Sequence, residues 1–102
     1  MILLPETLTL AEAAAAVRSV EEALGQGSVE KGAFTVDATA LRNFDTSAIA
    51  LLLEARRLAQ AAGRTFTVRG APAPLIELSG LYGVDSLLGF APAAAEVHSA
   101  LA

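Results

Sequence analysis

Two segments of the chain alternate apolar and polar residues with the period of a β-strand. They are AFTVDA at residues 33–38 and TFTVRG at residues 65–70, and both contain Phe-Thr-Val. Such alternation places apolar side chains on one face of a sheet and threonines on the other. A parallel strand covered on both faces is apolar throughout. The pattern therefore predicts helices packed mainly on one side of the sheet and a thinner cover on the other.

A helix is predicted between these strands, over residues 45–62. Leu52 is predicted to face the core, whereas Arg56 and Arg57 are predicted to lie on the solvated face. Gly63 follows at the C′ position that commonly ends a helix. A strand, a helix and a second strand within about 35 residues form a right-handed crossover unit. The two strands are therefore predicted to be parallel neighbours.

Shorter elements surround this unit. Residues 2–4 and 7–10 predict short strands or a hairpin-like lead-in, and residues 11–27 predict an amphipathic helix. After the second strand, the sequence predicts a Pro/Gly loop, a short helix, a brief strand or turn, and a last helix that begins at Pro92. These occupy residues 70–75, 75–83, 84–90 and 92–102, respectively.

The composition favours one globular domain, residues 1–102, because 54% of the residues are apolar and 18% are charged. Without cysteine, the chain forms neither a disulfide framework nor a thiolate metal site. A net charge of −4 argues against a nucleic-acid partner. The first ten residues lack the basic region of a signal peptide, and the run AIALLL is far shorter than the roughly 20 residues of a membrane span. We expect a cytoplasmic protein that reaches a membrane only through a partner.

No catalytic set follows from the sequence. The only histidine, His98, is predicted to lie on the surface of the last helix, and a triad with Ser47 would rest on chance composition. No glycine-rich loop ends in the Gly-Lys-Ser/Thr that binds nucleotide phosphates. Tyr82 and Phe90 are predicted to pack in the core, with a place on a docking surface as the alternative. We expect neither an enzyme nor a bound metal or other cofactor.

Three small polar residues, Asp-Thr-Ser at 45–47, mark the start of the central helix. With Asp45 as the N-cap, Phe44 and Ile49 occupy the two positions of a hydrophobic staple, whereas a cap at Thr46 gives no staple. Asp45 is therefore the predicted cap, and the helix dipole also favours its carboxylate. Thr46 and Ser47 then have two interpretations. They add hydrogen bonds at the helix end, or they form a surface that meets a partner or accepts a phosphoryl group.

Residues 36–70, VDATALRNFDTSAIALLLEARRLAQAAGRTFTVRG, resemble STAS domains. This family contains bacterial anti-sigma-factor antagonists and cytoplasmic modules attached to transporters. The resemblance lies in the aspartate at the strand end, the Asp-Thr-Ser-Ala helix start, and the helix and strand that follow. It implies an α/β fold with a four- or five-stranded mixed sheet and helices mainly on one face. The segments LPETLTLAEAAAA and LYGVD are similar to the small STAS subunit of Mla phospholipid-transport ABC complexes.

The resemblance also implies a site and two alternative functions. In the transporter branch, the threonine that matches Thr46 lies where the subunit contacts the ATPase. In the antagonists, the hydroxyl that matches Ser47 accepts a phosphoryl group from an anti-sigma serine kinase. Thr46 replaces the antagonists' usual first serine and Ala48 replaces their glycine, which weakens the antagonist alternative.

We therefore predict a non-enzymatic regulatory module that binds an ABC-transporter ATPase and is held by it at the inner membrane. The predicted contact residues are Asp45, Thr46, Ser47 and Ala48, and the small side chain of Ala48 is predicted to let the partner approach closely. The alternative is an anti-sigma-factor antagonist that is switched by phosphorylation of Ser47, with Thr46 as a second candidate phosphoacceptor.

Overall fold

The structure, a computed structural model, describes residues 2–26 and 32–91. In chain order, the elements are β1 (Ile2–Leu3), β2 (Thr7–Leu8), α1 (Leu10–Gln26), β3 (Ala33–Asp37), β4 (Asn43–Phe44), α2 (Thr46–Ala61), β5 (Thr65–Arg69), α3 (Ala73–Leu81), α4 (Asp85–Leu88) and β6 (Phe90–Ala91).

The larger sheet has four strands in the order β1-β3-β5-β6, and each pairing between them is parallel. Phe34 pairs with Phe66 and Val36 with Val68, as expected for the two Phe-Thr-Val strands. Because the strand order follows the chain order, every crossover advances in the same direction. Right-handed crossovers then place the connecting helices on one face of the sheet. The predicted α/β class, the sheet of four or five strands and the helices mainly on one face are confirmed, but the described strands of this sheet are all parallel and not mixed in direction.

A second, two-stranded sheet aligns the starts of the two long helices. β2 and β4 pair in parallel, and each strand directly precedes its helix, α1 or α2. The amides of Arg42 and Asn43 donate to the carbonyl of Glu6 at 2.8 and 3.0 Å, which fixes this pairing. The lead-in therefore forms strands, but not a hairpin, because β1 and β2 each find a parallel partner in a different sheet.

The core lies between the apolar face of the sheet and α2. Phe34 is 1% exposed, and Val36, Val68 and Leu52 are fully buried, which confirms the predicted orientation of Leu52. The other face of the sheet carries the predicted threonines, of which Thr35 and Thr67 are half-buried and Thr65 is exposed. The fold thus contains one continuous apolar core on the helical side.

The end of β3 is fixed by Asp37. Its carboxylate accepts hydrogen bonds from the hydroxyl and the amide of Thr39 at 2.6 and 2.9 Å, and Arg69 lies 3.5 Å from it. The pKa of Asp37 is lowered, first by the two hydrogen bonds from Thr39 and then by the charge of Arg69, while burial opposes the shift. These contacts tie the loop after β3 to the neighbouring strand.

The segment after β5 differs in detail from the prediction. α3 begins at Ala73, within the predicted loop, because Pro72 is extended at the N-cap position and Pro74 fits the first turn. The predicted strand or turn at 84–90 contains α4, and Gly89 (φ 62°) connects α4 to β6. The predicted last helix from Pro92, with His98, lies outside the described residues.

Candidate functional site

Asp45 caps α2, as predicted. Its backbone is extended (φ −130°, ψ −164°), and its carboxylate accepts a hydrogen bond from the Ser47 amide at 2.8 Å. Its carbonyl accepts the Ala48 amide at 3.0 Å, which starts the helix. Ile49 is 5% exposed and Phe44 packs against the same core, so both staple positions are occupied by core residues.

The four predicted site residues do not share one surface. Asp45 and Thr46 are exposed, and Ser47 is half-buried. Ala48, however, is fully buried, so its predicted role as a small surface residue that keeps a partner close is wrong. The reason is helical geometry, because Ala48 lies one turn from Leu52 on the stripe that faces the sheet. Ala50 is the exposed alanine of this part of α2.

Ala50 forms a ridge between two apolar grooves. The larger groove, of about 500 Å³, lies between α2 and the segment that follows α3. It is lined by Thr46, Ile49, Ala50, Leu53, Tyr82 and Val84. The smaller groove, of about 270 Å³, lies between α1 and α2. It is lined by Leu10, Ala13, Ala14, Val17, Ser47, Ala50 and Leu51. We call these two grooves and the Ala50 ridge the two-groove surface.

Large apolar side chains are exposed at the edges of this surface. Leu10 is 76% exposed and Tyr82 is 59% exposed, and Leu81 next to Tyr82 is 82% exposed. The prediction that Tyr82 packs in the core is wrong, because Tyr82 is the C-cap of α3 and follows its last turn. Phe90 does pack against the core, as predicted. Contiguous apolar exposure of this kind is typical of an interaction site.

Leu10 was not predicted to be a surface residue, although the sequence contains a signal for its position. Thr9 and Glu12 form a capping box, in which Glu12 Oε1 accepts hydrogen bonds from the Thr9 amide and hydroxyl, both at 2.7 Å. Leu10 is therefore the first residue of α1, where a side chain projects beyond the packed part of the helix. The spacing from Thr9 to Glu12 identifies this position from sequence.

The carboxylate of Glu12 is hydrogen-bonded to Thr9 at the start of α1. The pKa of Glu12 is lowered, first by the hydrogen bonds from Thr9, whereas desolvation and the charge of Asp45 act in the opposite direction. Among the residues that the structure describes, none that lines the two grooves is charged.

Farther along α2, Glu54 and Arg57 are paired with each other. Arg57 and Glu54 form an ion pair with a 2.5 Å contact, and the Arg57 side chain is 65% exposed, which confirms its predicted solvated position. The hydrogen bond between them, followed by their mutual attraction, raises the pKa of Arg57. The same hydrogen bond lowers the pKa of Glu54.

The described residues contain neither a membrane-spanning helix nor a metal-ligand cluster. Over residues 2–26 and 32–91, no helix has the length and apolar character needed to cross a bilayer. The same residues contain no group of three or more metal-ligating side chains. What the two-groove surface offers is apolar contact area around the exposed Thr46.

The chain is similar to a described family of proteins. A family model described as "Mlab, STAS domain" matches residues 1–89 of the chain. This range contains every residue that lines the two grooves. A search of curated proteins found no match to the chain.

Proposed function

Since the chain belongs to the STAS domain family, we propose that it is a regulatory docking subunit of an Mla-type phospholipid-transport ABC complex. STAS domains are generally non-catalytic protein-interaction modules. In this proposal, residues 1–102 form a single STAS domain, and the partner is the cytoplasmic ATPase of the transporter. The Mlab description of the matching family model supports the choice of this branch.

The two-groove surface is the main structural support for the proposal. Thr46 is exposed at the first position of α2, and it lines the larger groove together with Ala50. The alanine side chain lets a partner approach the helix closely, while the flanking grooves offer apolar surface to bury. This arrangement matches a protein interface with an apolar centre and a polar rim, and Asp45 would belong to the rim.

Differential binding is the proposed mechanism. The subunit shifts the ATPase toward one assembled state in proportion to its extra affinity for that state, without doing chemistry itself. The module would act on the cytoplasmic side of the inner membrane and would be held there by the ATPase.

The anti-sigma-factor antagonist is the alternative function, and it requires phosphoryl transfer to Ser47. Ser47 is half-buried and lines the smaller groove, whereas Thr46 is exposed. A kinase therefore has easier access to Thr46 than to Ser47, contrary to the antagonist pattern. For this reason we prefer the docking function.

An affinity pull-down distinguishes the two functions. The tagged chain is recovered from its native membranes in mild detergent, and bound proteins are identified by mass spectrometry. We expect an ABC ATPase together with its permease. We also expect Thr46→Arg to lose both proteins, whereas Gln60→Arg, at an exposed position in the last turn of α2, retains them. Recovery of a soluble serine kinase in place of the ATPase would overturn the proposal.

A further inference from the structure

Asp37 is a buried carboxylate at the end of β3, where it is 8% exposed. A buried charge costs stability unless hydrogen bonds or an opposite charge compensate it. Here the amide and the hydroxyl of Thr39 donate to Asp37 Oδ1 at 2.9 and 2.6 Å, and Arg69 Nη1 lies 3.5 Å from Oδ2. We call Asp37, Thr39 and Arg69 the strand-end clamp. It joins the ends of β3 and β5 to the loop that follows β3.

The loop at residues 38–42 connects β3 to β4, and its residues are held in two different ways. Ala38 and Leu41 are buried, and the Leu41 amide donates to the Ala38 carbonyl at 3.1 Å. Thr39, in contrast, is exposed and is held through its two hydrogen bonds to Asp37. The strand-end clamp therefore restrains the part of the loop that burial does not.

The same loop leads through β4 to the start of α2. β4 pairs with β2 and is followed directly by Asp45, the N-cap of α2. The first buried residue of this helix is Ala48, so packing against the core holds α2 only from its third residue onward. The position of Thr46 and Ser47 therefore depends on β4 and on the loop in front of it.

From these contacts we infer that Asp37 and Thr39 are positioning residues for the two-groove surface, because they determine where the first turn of α2 lies. With the strand-end clamp intact, Thr46 is held in one position beside the larger groove. Without it, the loop takes several positions, and only a fraction of the molecules presents a surface that fits the partner. The apparent affinity falls in proportion to that fraction. The inference rests on the proposed function for this effect on affinity, whereas its structural part does not depend on the partner.

Three variants separate positioning from a general loss of stability. Thr39→Val removes the hydroxyl at an exposed position and keeps the shape of the side chain. Thr39→Ser keeps the hydroxyl and is the conservative rescue variant. Gly63→Ala is the control, because Gly63 follows the far end of α2 with φ 77° and open space around an added Cβ. Alanine there lowers stability through the cost of its backbone conformation, without touching the clamp.

The position of the first turn of α2 is read from the NMR resonances of the Thr46 and Ser47 amides in the isolated chain. Thr39→Val should shift both resonances, although neither residue contacts residue 39 in sequence or through a hydrogen bond of the clamp. Thr39→Ser should restore the wild-type resonances. Gly63→Ala should leave them in place.

Amide hydrogen exchange measures how firmly the loop is held. The amides of Arg42 and Asn43, at the end of the loop, donate to the segment before β2. Thr39→Val should raise their exchange rates about tenfold, as for the loss of one hydrogen bond to a charged group. Gly63→Ala should instead raise the rate of the Val68 amide in the core, which exchanges through global unfolding, and leave the two loop amides unchanged.

Binding of the same variants to the purified ATPase is then measured by biolayer interferometry. Thr39→Val should bind about threefold more weakly, as for a surface that about a third of the molecules present in the competent position. Thr39→Ser and Gly63→Ala should bind like the wild type. Melting curves verify that each variant is folded at the temperature of the measurement.

The possible failures are distinguishable. If Thr39→Val changes neither the Thr46 and Ser47 resonances nor the exchange of the loop amides, the inference is wrong, whatever the ATPase does. If Gly63→Ala shifts the same resonances, the effect is one of general stability, and the inference is again wrong. If Thr39→Val binds the ATPase as well as the wild type does, the clamp does not govern docking, and the proposed function stands without it. If the wild type does not bind the ATPase but the NMR results are as expected, the proposed function fails and the structural part of the inference is supported.

Discussion

Gly83 and Gly89 offer a matched pair of alanine substitutions that separates backbone strain from steric overlap. Both residues have positive φ, 72° and 62° respectively. This conformation costs an L-residue roughly 1–2 kcal/mol. At Gly83 an added Cβ meets open space, whereas at Gly89 it would lie 2.9 Å from the carbonyl oxygen of Phe66. We predict that alanine is far more damaging at Gly89.

The additional cost at Gly89 follows from how firmly its neighbour is held. Phe66 lies in β5, and the amide of Val68 in the same strand donates to the Gly89 carbonyl at 3.1 Å. The strand and the turn therefore cannot separate without losing this hydrogen bond. Overpacking a well-packed site costs about 1–3 kcal/mol. In a domain of this size, that difference corresponds to a melting temperature roughly 5–20 °C lower for Gly89→Ala than for Gly83→Ala.

Thermal and urea unfolding followed by far-ultraviolet circular dichroism measure both variants. Gly83→Ala should lower the free energy of unfolding only by the cost of placing alanine at a positive φ. If the two variants have equal free energies of unfolding, the close approach of Gly89 to Phe66 does not constrain the folded protein, and the reasoning is refuted.

Three further predictions concern the core, the cap and the acid response. Leu52→Ala should lower the free energy of unfolding by about 2–5 kcal/mol because Leu52 is fully buried. The exposed Leu81→Ala should change it by less than about 0.5 kcal/mol, and equal effects in urea unfolding would show that the buried face is misassigned. Asp45→Ala should cost about 0.5–2 kcal/mol while Asp45→Asn costs little, and similar losses would exclude a capping role. Because the folded-state pKa of Asp37 is lowered, chiefly by Thr39, its stabilisation is present above the ordinary value of about 3.9 and is lost as pH falls through the lower folded value. Asp37→Asn should flatten that part of the stability–pH curve, and an unchanged slope would contradict the assignment.

Local patterns were sufficient to predict the central crossover unit. The alternation in β3 and β5, the cap at Asp45 and the C′ glycine at Gly63 each depend on neighbours in sequence. The structure has these features in place, with Gly63 at φ 77° and its amide bonded to the Gln60 carbonyl. Local propensity and global fold agree in this part of the chain, as expected for a well-specified core.

The exposed positions around the site were harder to predict. Ala48 and Ala50 have the same side chain, and only the helical phase relative to Leu52 places the first in the core and the second on the surface. Counting four residues back from Leu52 identifies Ala48 as buried, so the sequence did contain this signal. Tyr82 is different, because its exposure depends on where α3 ends against the rest of the fold.

The larger groove has no counterpart in any short stretch of sequence. Thr46, Ile49 and Leu53 belong to α2, whereas Tyr82 and Val84 follow α3. Contacts between segments far apart in sequence determine this arrangement, so it could be recognised only in the folded chain.

The affinity of the purified chain for the transporter ATPase, compared between Ala50→Arg and Ala61→Arg, tests the central claim most directly. Both alanines are exposed on α2, and eleven residues separate them, which is about three turns or 16 Å along the helix. Ala50→Arg blocks the ridge between the grooves and should weaken binding at least about thirtyfold, as expected at the centre of an interface. Ala61→Arg should bind like the wild type. An Ala50→Arg variant that is folded and binds the ATPase with wild-type affinity would contradict the account.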